Sequence, residues 1–144
     1  MTARTHGGPD ALGAARWDFS SNANACGPCP AALQAVHGAN AAHYPDPGYT
    51  RLRTALADFH GVDRSRVLLA ASASECIQRL TAWRWRAGDA GVWTPPHAYG
   101  DYAAAATAWG LPRVGSPGQA SLAWLCDPGS PLGQGETPEV VRAV

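Results

Sequence analysis

The chain has 144 residues, the size of one ordinary domain, and 46% of them are hydrophobic, which is enough to build a core and excludes a disordered chain. Eleven acidic residues balance eleven basic ones, so the overall field does not favour nucleic acid or an anionic membrane as a partner. No apolar run reaches the ~20 residues of a membrane span, and the first residues lack the pattern of a signal peptide, so we expect a cytoplasmic protein.

The first third of the chain is rich in Gly, Ala and Pro. Residues 1–16 predict a loose arm, and Trp17–Phe19 predicts a short extended piece. The stretch AALQAVHGA predicts a helix that ends near Gly38. In the sequence HYPDPG, two prolines at alternate positions push Tyr44 and Asp46 out of the helical region. We therefore expect a stiff turn that fixes the direction of Tyr44.

Helices and strands alternate along the rest of the chain. The predicted strands are Val67–Ala70, Gly91–Thr94 and Leu122–Cys126. The predicted helices cover Tyr49–His60, the segment after Ala71–Glu75 with an inner stripe of Ile77, Leu80 and Trp83 or Trp85, the stretch DYAAAATAWG, and the residues after Pro138. Connections too long for hairpins indicate a parallel sheet in an α/β fold. Because ligands bind at the carboxyl ends of such strands, residues 71–75, 95–102 and 127–133 are candidate site segments.

The tetrapeptide Cys26-Gly-Pro-Cys29 has the spacing of a thiol–disulfide redox pair. Such a pair works when its first thiol lies at a helix N-terminus that lowers the pKa of the thiol. Pro30 follows directly, so we expect the helix to begin at about residue 30, with both thiols in the loop before it and outside the helix dipole. Cys76 and Cys126 stand singly, without the paired spacing of a zinc site. Four cysteines in all fit reduced thiols in a cytosolic protein.

The segment Leu69-Ala-Ala-Ser-Ala-Ser-Glu75 predicts a strand end, a run of small residues and a helix start. Small side chains let backbone N–H groups converge on an anion, and Ser72 or Ser74 can add a hydroxyl donor, so the segment suits a phosphate. The same residues equally predict a serine N-cap with Glu75 in the first helical turn and no ligand. The segment lacks the glycines and lysine of a nucleotide-binding loop.

The segment Thr94-Pro-Pro-His-Ala-Tyr-Gly-Asp-Tyr102 also follows a predicted strand. An aromatic ring held there by two prolines can lie on a flat heteroaromatic cofactor, or it can simply pack in the core. His97 suits either a catalytic role or a surface position. The stretch Trp83–Arg86 suits a stacking platform for nucleic acid, but the zero net charge favours the end of a half-buried helix.

Taken in order, these segments resemble the N-terminal part of the fold-type-I pyridoxal-phosphate enzymes, in the branch of histidinol-phosphate aminotransferase and threonine-phosphate decarboxylase. The resemblance covers about residues 18–134, and five motifs carry it: DFSSNANACGP, AHYPDPGYTRLRTALADFHGV, VLLAASASE, TPPHAYGDY and CDPGSPLGQ. It implies an α/β fold with a partial three-layer parallel sheet. Residues 1–47 would form an N-terminal arm and residues 48–144 the first, incomplete part of the cofactor-binding large domain.

The resemblance implies pyridoxal 5'-phosphate as the cofactor. Ala73 and Ser74 match the pair whose backbone amide and side chain hold the cofactor phosphate, and Tyr99 matches the tyrosine that stacks on the pyridine ring. Ser130 stands where the family has an Asn that hydrogen-bonds the phenolic oxygen of the cofactor. A serine is shorter and has no amide N–H, so this position departs from the family pattern.

The resemblance also implies partners and a substrate-proximal arm. Tyr44 matches a tyrosine that reaches the cofactor phosphate of a second subunit, which implies a homodimer. Asn22 and Asn24 match the arm nearest the substrate. Because the Cys26–Cys29 tetrapeptide falls in that arm, where the family has Asn-Pro-x-Gly-Pro, its redox spacing is interpreted as coincidental.

The family also uses an Asp, a Lys that bonds the cofactor and an Arg, none of which this chain matches; the chain contains no lysine at all. The leading hypothesis is therefore an N-terminal fragment of an aminotransferase or decarboxylase for a small amino acid, with or without a phosphate group. We expect it to be inactive alone and to need a complementing C-terminal portion. The alternatives are a non-catalytic phosphate-ester binding module and a dithiol oxidoreductase. Neither nucleic acid nor a membrane is expected as a partner, and no metal site is expected.

Overall fold

The computed structural model describes residues 7–88, 91–130 and 132–143. Residues 1–6 of the predicted arm and residue 131 of the CDPGSPLGQ motif lie outside the described residues. The chain divides into two compact units, Met1–Val67 and Leu68–Val144, and each is described by itself. The arm and large-domain boundary at residue 47, which the resemblance implies, stays a prediction.

The first unit contains two helices, α1 (Pro30–His37) and α2 (Thr50–His60). Both were predicted, and their ends have clear causes. Pro30 occupies the first turn of α1, where its missing N–H costs nothing. Gly61 ends α2 in the left-handed conformation, with φ of 63°, and donates its N–H to the last carbonyls of the helix.

The side chain of Arg53 ties α2 to the chain that follows it. Its Nε donates to the carbonyl oxygen of Val67 at 3.1 Å, and its Nη2 donates to that of Arg64 at 3.0 Å. Arg64 begins the short 3-10 turn Arg64–Arg66, which Asp63 caps by accepting from the N–H of Ser65. The guanidinium therefore satisfies carbonyl groups that no regular secondary structure would satisfy.

The extended piece predicted at Trp17–Phe19 is wrong. The backbone bends at Trp17 and at Ser20, and the carboxylate of Asp18 accepts hydrogen bonds from the N–H and the hydroxyl of Ser20 and from the hydroxyl of Ser21. Short polar side chains that bond the nearby backbone compete with strand formation in this way. Phe19 is left 96% exposed.

The second unit contains α3 (Ala73–Arg86), β1 (Val92–Trp93), α4 (Gly100–Ala108), β2 (Leu122–Ala123) and α5 (Pro138–Ala143). β1 and β2 pair in parallel, with Val92 opposite Leu122 and Trp93 opposite Ala123. The predicted parallel α/β arrangement is therefore confirmed as a small two-stranded sheet. The three-layer sheet that the resemblance implies stays a prediction.

The core of the second unit forms where β1 meets α4. Val92 and Ala106 are fully buried and Leu111 nearly so, and the half-buried Leu122 and Trp124 pack against them. Helices α3 and α4 lie against each other, and the indole N–H of Trp109 donates to Gln78 Oε1 at 3.1 Å. α4 therefore packs on β1 on one side and on α3 on the other.

The strand predicted at Val67–Ala70 is wrong, because no described residue pairs with it in a β-ladder. The polar groups of Val67 are used locally: its N–H donates to the carbonyl of Arg64, and its carbonyl accepts from Arg53. Leu68, which begins the second unit, is 63% exposed. The apolar run VLLA gave the strand prediction, but an apolar run becomes a strand only where a neighbouring strand takes its hydrogen bonds.

The inner stripe predicted for α3 is correct at Ile77 and wrong beyond it. The fully buried position one turn later is Thr81, whose hydroxyl donates to the carbonyl of Ile77 at 2.7 Å. Leu80, Trp83 and Trp85 lie on the exposed side. A threonine whose hydroxyl donates to a carbonyl of its own helix can be buried without an unsatisfied polar group. A pattern of apolar residues therefore does not predict its burial.

No helix within the described part of the chain is long and apolar enough to cross a membrane.

Candidate functional site

The N-terminus of α3 is held by reciprocal side-chain caps. Ser72 is the N-cap, and its hydroxyl accepts from the N–H of Glu75 at 3.1 Å. The carboxylate of Glu75 reaches back to the N–H of Ala71 at 2.6 Å and also pairs with Arg79 at 3.2 Å. The serine N-cap that the sequence predicts is therefore confirmed, in the form of a capping box shifted by one residue.

Two backbone amides of this helix start remain available to a ligand. The N–H groups of Ala73 and Ser74 have no acceptor among the described residues, whereas those of Glu75 and Cys76 are both bonded to Ser72. Unpaired N–H groups at a helix start, together with the helix dipole, favour an anion. The segment therefore carries the predicted cap and, beside it, two amides without an acceptor among the described residues; anion binding by them stays a prediction.

The hydroxyl of Ser74 lies between two side chains from the start of α4. It donates to Asp101 Oδ2 at 2.5 Å, and it lies 3.3 Å from the hydroxyl of Tyr99. Asp101 is only 1% exposed. Short distances of this kind are typical of an O–H group that donates to a carboxylate. Ser74 therefore contacts one residue that was predicted for the site, Tyr99, and one that was not, Asp101.

Tyr99 belongs to a chain of aromatic contacts. Its ring meets Tyr102 edge-on, with ring centroids 5.8 Å apart, and Tyr102 in turn stacks on Trp124. Burial, the nearby Cys126 and Tyr99 together raise the pKa of Tyr102. The tyrosine predicted to stack on a cofactor is therefore held by a ring that packs on the segment after β2.

Ser130 lies on a small cavity of the second unit, which Tyr102, Cys126 and His97 also line. Ser74 and Tyr99 are not among the described residues that line it. His97 is exposed and adopts a positive φ of 58°, a conformation that non-glycine residues rarely adopt. Ala98, the residue before Tyr99, and Tyr102, whose ring meets that of Tyr99, both line the cavity that Ser130 lines.

The remaining predicted site residues lie in the first unit. Tyr44 is 99% exposed, as expected of a residue in the stiff turn between α1 and α2. Asn22 and Asn24 are also exposed, and Asn24 Oδ1 accepts from the N–H of Cys26 at 3.0 Å. Their roles toward a second subunit and a substrate stay predictions.

The Cys26–Cys29 segment requires a correction. Both thiols are free and exposed, and α1 does begin at Pro30 as predicted. Cys29, however, is the N-cap residue of α1; its thiol makes no capping hydrogen bond, but the nearby backbone N–H groups of Ala32 and Ala31 lower the pKa of the thiol. The expectation that Pro30 keeps both thiols outside the influence of the helix is therefore wrong for Cys29.

Sequence reasoning missed Asp101 as a member of the site. In the sequence it is an acidic residue at the start of a helix, a common position for a solvated carboxylate. Only the packing of α4 against α3 shows that its carboxylate is buried and bonded to Ser74. Within the described residues, no cluster of three or more His, Cys, Asp or Glu side chains could hold a metal ion.

Comparisons with known proteins support an aminotransferase-like chain. No family model and no solved structure matches it. It is similar to proteins named histidinol-phosphate aminotransferase: that of Ruegeria sp. (strain TM1040) is 31% identical over 80% of this chain, and that of Hyphomonas neptunium is 39% identical over 69%. That of Staphylococcus carnosus (strain TM300) is 29% identical over 87%. The resemblance predicted from the motifs is thereby confirmed.

These relatives are much longer than the segment they share with this chain. The matched region covers 36% of the Ruegeria protein, 28% of the Hyphomonas protein and 40% of the Staphylococcus carnosus protein. The similarity therefore concerns only a portion of the length of these aminotransferases. In this chain, the small parallel sheet and the capped start of α3 both belong to the second unit.

Proposed function

We propose that this chain is the N-terminal, cofactor-binding portion of a pyridoxal-phosphate-dependent aminotransferase or of a related threonine-phosphate decarboxylase. Its substrate class would be a small amino acid, with or without a phosphate group. The observation that carries the proposal is the pair of available amides at Ala73 and Ser74, next to Tyr99, in a chain similar to histidinol-phosphate aminotransferases.

The residues at the start of α3 fit the phosphate of this cofactor. The amides of Ala73 and Ser74 are the donors, and the helix dipole favours the negative charge. Tyr99 would supply the face on which the pyridine ring stacks. When bound, the cofactor supplies an electron sink for chemistry at the α-carbon of an amino acid.

The other assignments rest on the resemblance. Ser130 would face the phenolic oxygen of the cofactor, and Tyr44 would reach the cofactor phosphate of a second copy in a homodimer. Asn22 and Asn24 would lie near the substrate. These positions are proposals that need the complete site for their test.

The absence of lysine sets the kind of binding we expect. A lysine amine normally bonds the cofactor aldehyde, and this chain contains no lysine. The chain should therefore bind the cofactor weakly and non-covalently, and it should transfer no amino group by itself. A complementing portion with the missing Asp, Lys and Arg would restore activity, and the adjoining coding sequence is the place to look for it.

The test is a fluorescence titration of the purified chain with pyridoxal phosphate and, as a matched ligand, with pyridoxal, which lacks the phosphate. We expect saturable binding that is tighter for pyridoxal phosphate. Tyr99→Ala should weaken the binding of both ligands by about 1 kcal/mol, or roughly fivefold in affinity, because a stacking surface is lost. Tyr49→Ala, in the first unit, is the matched control and should change neither affinity.

Two results would contradict this function. Equal affinity for both ligands would show that no phosphate site exists, and a pyridoxyl group found on a side chain after borohydride treatment would show a covalent site that we do not expect. Binding of any small phosphate ester with the same affinity, unaffected by Tyr99→Ala, would instead favour the non-catalytic phosphate-ester module.

A further inference from the structure

The Ser74 hydroxyl carries a single proton and can donate only one hydrogen bond, and the geometry identifies the acceptor of that bond. A serine hydroxyl can donate one hydrogen bond and accept two. Ser74 donates to Asp101 Oδ2 at 2.5 Å. In the 3.3 Å contact between Ser74 and Tyr99, the tyrosine hydroxyl must then be the donor. The two hydroxyl groups form a relay that points toward Asp101.

The position of Asp101 favours this direction of the relay. It is in the first turn of α4, where the helix dipole stabilises a negative charge. It is 1% exposed, so water does not compete for its carboxylate. An oxygen-to-oxygen distance of 2.5 Å lies within the range of a hydroxyl that donates to an ionised carboxylate.

We propose that Asp101 is a positioning residue that accepts the hydrogen bond of the Ser74 hydroxyl, so that an anion at the start of α3 is held by backbone amides and not by the Ser74 side chain. This inference rests on the proposed function and replaces the side-chain role that the resemblance implies for Ser74. The hydroxyl oxygen presents lone pairs to a phosphate, not a proton. The carboxylate behind it adds a negative charge that repels a dianion.

The inference makes Asp101 a determinant of specificity. Ligand affinity at the start of α3 is set by the attraction of two amides and the helix dipole, reduced by the repulsion of one buried carboxylate. Removing the Ser74 hydroxyl should therefore cost little phosphate affinity. Removing the charge of Asp101 should increase affinity for a phosphorylated ligand more than for an unphosphorylated one.

The first arm of the test needs no ligand. A double-mutant cycle with Ser74→Ala and Asp101→Asn is measured by urea unfolding of the full chain. We expect Ser74→Ala to lower the unfolding midpoint clearly in the parent, because a buried carboxylate loses one hydrogen-bond donor, and to lower it much less in the Asp101→Asn background. The hydroxyl of Ser116 makes no hydrogen bond among the described residues, so Ser116→Ala is the matched control, with equal effects in both backgrounds. Equal effects of Ser74→Ala in both backgrounds would overturn the pairing.

The second arm compares pyridoxal phosphate with pyridoxal. We expect Ser74→Ala to leave the ratio of the two affinities within about twofold, and Asp101→Asn to raise it by about threefold to tenfold. Asp58→Asn, an exposed position in α2, is the matched charge control and should not change the ratio. A loss of about tenfold in the ratio on Ser74→Ala would overturn the inference, because it would show that the hydroxyl donates to the phosphate.

The two arms separate failure of this inference from failure of the proposed function. If the parent shows no preference for pyridoxal phosphate, the proposed function is wrong and the phosphate part of the inference falls with it. The double-mutant cycle measured by urea unfolding still decides whether Asp101 accepts the hydrogen bond of Ser74, because that measurement does not depend on a ligand.

Discussion

The ring of Tyr102 lies parallel to the indole of Trp124, with centroids 5.0 Å apart and an angle of 9° between the planes. Tyr102 is in α4, and Trp124 directly follows β2. The stack thus joins the helix that carries Asp101 to the strand pair of the second unit. Because Tyr102 also meets Tyr99 edge-on, the same contact supports the tyrosine proposed to stack on the cofactor.

Loss of this stack should destabilise the second unit. We expect Tyr102→Ala and Trp124→Ala each to lower the free energy of unfolding, with a coupling of about 0.5–1.5 kcal/mol between them in a double-mutant cycle. Tyr44→Ala, at a position that is 99% exposed, is the matched control and should have little effect. Urea unfolding followed by far-ultraviolet circular dichroism measures all four variants. Strictly additive effects would show that the rings do not interact.

Gly91 should tolerate no side chain. It has a φ of +100°, and an added Cβ would lie 3.0 Å from Val114 Cγ1 and 3.3 Å from the carbonyl oxygen of Gln119. Its own carbonyl accepts from the N–H and the hydroxyl of Ser121, so the backbone cannot easily move away. We expect Gly91→Ala to cost more than about 1 kcal/mol of unfolding free energy.

The matched control for this substitution is Gly118→Ala. Nothing lies within 4 Å of an added Cβ at Gly118, so its unfolding free energy should stay near that of the parent. A Gly91→Ala variant as stable as the control would mean that the start of β1 is looser than the structure shows.

The elements that the sequence predicted well are those with local causes. Helix α2 ends at Gly61 because only glycine adopts the left-handed conformation without strain, and α1 begins at Pro30 for an equally local reason. The strand at Val67–Ala70 failed because strand formation needs a partner elsewhere in the chain, which the segment itself cannot reveal.

The candidate site shows the same division. The cap at Ser72 and the neighbouring amides follow from a short sequence pattern, so residues 71–75 could be identified in advance. The contact between Ser74 and Asp101 could not, because it depends on how α4 packs against α3 and joins residues 27 positions apart in the chain. The burial of Thr81 was missed for a related reason, since its hydroxyl is satisfied by the carbonyl of Ile77.

The carboxyl group of Asp18 should titrate at unusually low pH. Hydrogen bonds from the hydroxyl of Ser20, then from that of Ser21, and from the N–H of Ser20 lower the pKa of the Asp18 carboxyl from its ordinary value of 3.8 to about 2. Because the pKa is lowered in the folded chain, these hydrogen bonds contribute their full stabilisation above pH 3.8. That stabilisation is lost as the pH falls through about 2.

Carbon-detected NMR of the Asp18 carboxyl tests this expectation. We expect a midpoint near pH 2 in the parent and a shift upward in Ser20→Ala, which removes the largest cause. Ser116→Ala, in the other unit, serves as the control and should leave the midpoint unchanged. A titration midpoint near 3.8 in the parent would show that the hydrogen bonds from Ser20 and Ser21 to Asp18 do not form.

Cys29 should react faster than Cys26. The nearby backbone N–H groups of Ala32 and Ala31 at the start of α1 lower the pKa of the Cys29 thiol, so a larger fraction is thiolate at neutral pH. Iodoacetamide labelling followed by peptide mapping, compared between Cys26→Ser and Cys29→Ser, measures the two rates. Equal rates would show that the start of α1 does not activate the thiol.

Fast alkylation at one thiol does not make a redox couple. A dithiol oxidoreductase must also resolve a mixed disulfide with its second thiol. We expect the parent to show no reduction of insulin disulfides by dithiothreitol above the uncatalysed rate. Catalysis that is lost in both single serine variants would favour the oxidoreductase alternative over the proposed function.

The pairing of β1 with β2 also has a consequence for the order of folding. Val92 and Leu122 are partners although they are thirty residues apart in the chain, whereas each hydrogen bond within α2 or α3 joins neighbouring turns. Closing the longer loop costs conformational entropy before any strand contact repays it. During refolding, amides of the helices should gain protection from hydrogen exchange before the N–H of Trp124, which donates to the carbonyl of Trp93. The sheet beneath the candidate site would then be the last part of the second unit to assemble.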